Sequence, residues 1–84
     1  MEPAEIKALL EQSLDLTDCH VESDGSHYKV IAVGEMFDGL SRVKAQQAIY
    51  QPLQAQIADG SLHALTIKTY TPTQWQRERK LMML

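Results

Sequence analysis

Three histidines, His20, His27 and His63, are the side chains of this 84-residue sequence best suited to holding a metal ion. Neutral imidazole is a common ligand for borderline metals, and it can replace thiolate on one iron of a two-iron cluster. His27 and His63 each open a segment that reads as a β-strand. If those strands are parallel neighbours, the two rings start from the same end of the sheet and within reach of one ion. No local motif of closely spaced ligands accompanies them, and the competing reading of His63 is a polar residue at a strand end. Cys19, the only cysteine, excludes an internal disulfide and fits a reducing compartment. Its place in phase with Val21 reads as a small buried hydrophobe.

Catalytic constellations are thin. Ser13, Ser23, Ser26, Ser41 and Ser61 all lie outside any nucleophile-elbow context, and no glycine-rich phosphate loop is present. The acid pairs Asp15 with Asp18 and Glu22 with Asp24 fall in turn or hairpin regions, where carboxylates are solvated. A chain of 9.5 kDa buries only roughly 60–65% of its unfolded surface, which leaves little room for the desolvated pocket that tuned acid–base pairs need. A protein that is not an enzyme is expected.

A second surface is basic. Arg42 and Lys44 begin a helical segment, Lys68 lies on the third strand, and Arg77, Arg79 and Lys80 follow Tyr70 and Trp75. Cations beside aromatics can bind phosphate and stack bases; the alternative is a solvated helix face with Trp75 packed inward. Formal charge is −3 and the pI about 5.5, against a general polyanion binder. The distribution is uneven, however. Residues 1–38 carry nine acids and two bases, and residues 39–84 carry six bases and two acids, so one end is locally cationic.

The elements that position these groups follow from periodicity. Pro3 suits a first helical turn, and Ile6, Leu9, Leu10 and Leu14 recur at helical spacing, predicting a helix over 3–14. Cys19, Val21 and Ser23 alternate with His20, Glu22 and Asp24, and alternation resumes from Tyr28 to Val33. This predicts two strands joined by a turn at Asp24, Gly25 and Ser26. Residues 34–39 are a connection containing Phe37. Leu40, Val43, Ala48, Ile49, Leu53 and Ile57 are candidate inward positions of helices over 40–50 and 52–58, divided at Pro52 and ended by Asp59 and Gly60. Residues 62–70 read as the third strand. Thr71, Pro72 and Gln74 combine an N-cap, a first-turn proline and a capping-box glutamine for a helix over 72–80. The order is αββααβα in one domain spanning 1–84. The link between the second and third strands passes through helices, so those strands should be parallel if adjacent, in a three-stranded mixed sheet with helices packed on one face. The acidic start and the lack of an apolar run of roughly 20 residues predict a soluble cytoplasmic protein with no membrane association.

The segment Phe37, Gly39, Ser41, Arg42, Val43, Ile49 and Tyr50 resembles the F-x-G-x-S-R-V-x-x-x-x-x-V/I-Y pattern of the BolA family. The likeness continues through Leu62, His63, Ala64 and Leu65, through Tyr70, Thr71, Pro72, Thr73, Gln74 and Trp75, and in the turn from Gly25 to Val30. It covers nearly the whole chain and is nearest the family's short acidic bacterial branch.

The resemblance implies an α+β, class II KH-like fold. It also implies a heterodimer with a monothiol glutaredoxin around a shared [2Fe-2S] cluster, to which the glutaredoxin brings its cysteine and a glutathione thiolate. The family's third-strand histidine matches His63, and a His or Cys from the first hairpin region matches His27, although several relatives have a longer loop there. A role in stress response and in cluster transfer or sensing is implied, with the apo form a monomer or homodimer. Other members regulate transcription by binding DNA through a helix-turn-helix-like region, which here implies Arg42, Lys44 and Lys68. The sequence departs from the RNA-binding KH pattern: Gly39, Leu40, Ser41 and Arg42 lack the second glycine of a GXXG loop, and Gln46 and Gln47 stand where many relatives carry His and Arg.

Overall fold

A computed structural model describes residues 2–25, 27–62 and 64–82; His63 lies outside the described residues. Helix α1 covers Pro3–Ser13. Pro3 fills the first turn, where a missing N–H is harmless, and Glu5 Oε1 accepts a hydrogen bond from the Glu2 N–H at 3.1 Å. Ile6 and Leu10, one turn apart, are both fully buried.

Strand β1, Asp18–Asp24, pairs antiparallel with β2, His27–Val33, in a register running from Asp18 opposite Val33 to Asp24 opposite His27. Gly25, directly after β1, takes a φ of +66°, a conformation in which an L side chain would be strained; Ser26, expected in the same turn, lies outside the described residues. Strand β3, Ala64–Tyr70, lies parallel to β2 on its other side, from Ala64 opposite His27 to Tyr70 opposite Val33. The expected mixed three-stranded sheet is therefore present, with β2 central.

The crossover from β2 to β3 begins with a 3-10 turn, Glu35–Phe37, and continues as helix α2, Arg42–Tyr50. Ser41 Oγ accepts the Lys44 N–H at 3.2 Å and fixes the start of α2, two residues later than periodicity suggests. At Pro52 the chain tightens into a 3-10 turn, Gln51–Leu53, before helix α3, Gln54–Ala58. Gly60, at φ +84°, follows. Helix α4, Pro72–Met82, is capped reciprocally: Thr71 Oγ1 accepts the Gln74 N–H at 3.3 Å, and Gln74 Oε1 accepts the Thr71 N–H at 2.9 Å.

Side chains alternate across a strand, so the two faces of β2 report two layers. Tyr28, Val30 and Ala32 join Cys19, Ile6, Leu10, Phe37, Ala45, Ile49, Leu53 and Leu62 in the main core, under α1 and α2. Ile31 and Val33 point the other way and pack with Trp75 of α4, flanked by Tyr70. This corrects the expectation of helices on one face only: the sheet has a second apolar stripe at the Val33 end, and α4 covers it. The inward set of α2 also differs. Ala45 and Ile49 are buried, whereas Val43 is 64% exposed and Leu40 39%. With Ala45 and Ile49 turned to the core, Val43 faces solvent. No helix among the described residues is long and apolar enough to cross a membrane.

Candidate metal-ligand face of the sheet

The face of the sheet opposite the main core carries His20, Glu22 and Asp24 from β1, His27, Lys29, Ile31 and Val33 from β2, and Thr66, Lys68 and Tyr70 from β3. Trp75 covers its Val33 end, while the His27 end is open. There an exposed depression of about 370 Å³ is lined by Glu22, Ser23, Asp24, His27, Lys29, Thr66 and Lys68. Two carboxylates and two ammonium groups thus surround one imidazole, so neither sign of charge dominates.

His27 is exposed, and its Nε2 lies 2.7 Å from Thr66 Oγ1. The bond follows from register: Ala64 stands opposite His27, and the residue two further along β3 returns to the same face. The premise of the two-histidine reading, parallel neighbouring strands starting at one end, is present in this pairing. His63 directly precedes Ala64 in the sequence and lies outside the described residues.

The remaining candidates have structural employment. His20 sits toward the other end of the face, with Nε2 3.0 Å from Asp18 Oδ2 and its ring 5.4 Å from that of Trp75. Cys19 is fully buried on the core side, and burial, reinforced by the negative charge of Glu11, pushes its thiol pKa up to about 11. It is out of reach as a metal ligand. Among the described residues, no group of three or more His, Cys, Asp or Glu could enclose an ion. His27 therefore stands as a single exposed imidazole at the open end of the sheet.

Arg42 and Lys68, both expected on the basic surface, come together in a groove of about 360 Å³ between α2 and β3, with Gln46, Ile67, Thr69 and Tyr70. Lys44 is exposed on α2 but does not line that groove. Trp75 is packed inward, as the alternative reading had it, and its exposure is 7%. Thr66 is the site residue that sequence reasoning missed. Its only signal was the two-residue alternation that, given a parallel register, places it beside His27.

Fold and sequence comparisons agree on the class of protein. The model of the BolA-like protein family matches residues 5–74, and the chain belongs to that family. It is 57% identical over 81 residues to the acid stress protein IbaG of Escherichia coli K12, covering 96% of each chain. The BolA domain of SufE1 from Arabidopsis thaliana superposes with a TM-score of 0.75 at 35% identity, over 84% of this chain and 92% of that one. The solution structure of BolA1 from Mus musculus gives 0.77 at 31% identity, over 92% of this chain and 70% of that one.

Proposed function

We propose that this chain is a non-enzymatic iron–sulfur adaptor that binds a monothiol glutaredoxin and contributes imidazole nitrogen to a shared [2Fe-2S] cluster. The observation that supports the reading is the exposed imidazole of His27 at the open end of the sheet where β2 and β3 start side by side in parallel. His63 is the principal ligand in this reading and His27 the second. When bound, the cluster would supply redox and transfer chemistry; the chain's part is to hold iron by nitrogen at an accessible edge. Nitrogen in place of thiolate changes potential and lability, which suits transfer or sensing. Imidazole must be neutral to bind metal, so affinity falls as acidity rises, in keeping with the acid-stress name of the Escherichia coli relative. A KH-like class for the fold and a cytoplasmic setting belong to the same proposal.

Titration with glutaredoxin carrying a glutathione-bound [2Fe-2S] cluster tests it. A 1:1 heterodimer should form with a visible circular dichroism spectrum distinct from that of the glutaredoxin alone. His63→Ala should remove that spectrum without unfolding the chain, and an unchanged spectrum would exclude His63 from its assigned role.

A second reading, a DNA-binding regulator, is favoured by the single groove that holds Arg42 and Lys68, with Lys44 on the adjoining helix. Its binding should weaken with salt at a log–log slope of roughly 0.9 per phosphate neutralised. Absence of binding at low salt would remove this reading and leave the first untouched.

A further inference from the structure

Each neutral imidazole has one nitrogen that carries a proton and one that offers a lone pair, and only the latter can bind a metal. Which is which is set by the partner of the other nitrogen. At His27 the partner is visible: Thr66 Oγ1 lies 2.7 Å from Nε2, a distance that commits this nitrogen to the hydroxyl. Iron could reach Nε2 only by breaking that bond. Nδ1 is then the one nitrogen of His27 free to be a ligand, and it is competent only when the proton resides on Nε2.

We infer that Thr66 is a positioning residue: its hydroxyl engages Nε2 of His27, holds the ring orientation and leaves Nδ1 as the nitrogen open to an incoming iron, the hydroxyl accepting the Nε2 proton in the tautomer that can bind metal. The inference rests on the adaptor reading for the identity of the metal but not for the tautomer, which is a property of the chain by itself. Two features support it. Thr66 is anchored on a strand, so its hydroxyl is held by the β2–β3 register and not by a loop. Both residues line one open depression, so an approaching protein finds the ring already oriented. Metal-bound histidines in general donate their second ring N–H to such an acceptor, and loss of the acceptor typically weakens metal binding by 10-fold or more.

Long-range proton–nitrogen NMR of the His27 ring in the metal-free chain, at about pH 8 where imidazole is ordinarily neutral, reads the tautomer directly. The expected result is a protonated Nε2 and a bare Nδ1 in the parent chain, a mixed tautomer in Thr66→Val, and recovery in Thr66→Ser. Thr66 is exposed on β3 and valine suits a strand, so the backbone amide spectrum should stay intact. A proton on Nδ1 in the parent chain, or an unchanged ring in Thr66→Val, overturns the inference. With cluster-loaded glutaredoxin, Thr66→Val should weaken the mixed complex by roughly 10-fold and Thr66→Ser should restore it. Equal affinity of parent and Thr66→Val would overturn the positioning role at the metal. If no variant, the parent included, forms a mixed cluster, the adaptor reading fails while the tautomer assignment stands or falls on the metal-free spectra.

Discussion

The ring of His20 lies against that of Trp75, with centroids 5.4 Å apart, while its Nε2 sits 3.0 Å from Asp18 Oδ2. Tyr70 approaches the same indole at 5.4 Å, and Ile31 and Val33 pack beneath it. Trp75 is the only buried residue that α4 contributes to this layer among the described residues. Trp75→Ala should therefore cost about 3–5 kcal/mol, a large share of the stability of a domain this small. Urea unfolding gives the loss, and amide hydrogen exchange should show α4 opening before α1. A change under about 1 kcal/mol would mean that α4 is held by something other than its indole.

Cys19 should be chemically silent in the native chain. Its thiol pKa, pushed up to about 11 by burial and by Glu11 against the opposing charge of Lys7, leaves almost no thiolate near neutrality. A disulfide reagent at pH 8 should react slowly with the folded chain and rapidly in urea. The folded state keeps a proton that the unfolded thiol, with its ordinary pKa of 9.0, releases as pH rises. The contribution is complete below pH 9 and is lost as pH rises toward 11. Tyr70 is also shifted upward, by burial and then by Glu78, and adds to any alkaline loss. Cys19→Ala isolates the thiol's share: the fall in stability over that range should become shallower.

The reciprocal cap at Thr71 and Gln74 predicts a smaller effect. Thr71→Ala removes the oxygen that accepts the Gln74 N–H and should destabilise the chain by about 1 kcal/mol. Thr71→Ser should retain most of it. Thermal unfolding of the two variants under the same conditions distinguishes a lost cap from a lost methyl contact.

Val43 supplies the opposite case. Sequence periodicity puts it inward, yet it is 64% exposed, so Val43→Ser should change stability by no more than about 0.5 kcal/mol. Equilibrium denaturation showing a loss above about 1.5 kcal/mol would place this side chain in a contact that the fold does not show.

Val43 also illustrates where the sequence stops being legible. Local chemistry reads well: Pro3, Pro52 and the Thr71–Gln74 box each mark an element boundary through an interaction made within a few residues, whereas the Ser41 cap moves the start of α2 two residues past the expected one. The parallel pairing of β2 and β3 was likewise accessible, because a helical crossover leaves few alternatives. Helix phase over 42–50 was not, since Val43 and Ala45 compete on opposite sides of a short helix and a small alanine makes a weak signal. The second apolar layer was missed because Ile31 and Val33 lie in a continuous hydrophobic run, which shows that both faces are covered only once the partner, Trp75, is placed. Of the two expected ligands, His27 takes its place at the open sheet end, but Thr66 is 39 positions away in sequence and has no motif of its own.

The central strand keeps its two jobs apart. His27 at its start and Val33 at its finish are separated by six strand steps, roughly 20 Å. A fluorophore or affinity handle fixed to an outward position of α4, such as Gln76, should therefore ride on the protein without crowding the open depression around His27. Reporters of docking can be built at one pole while the other stays chemically untouched.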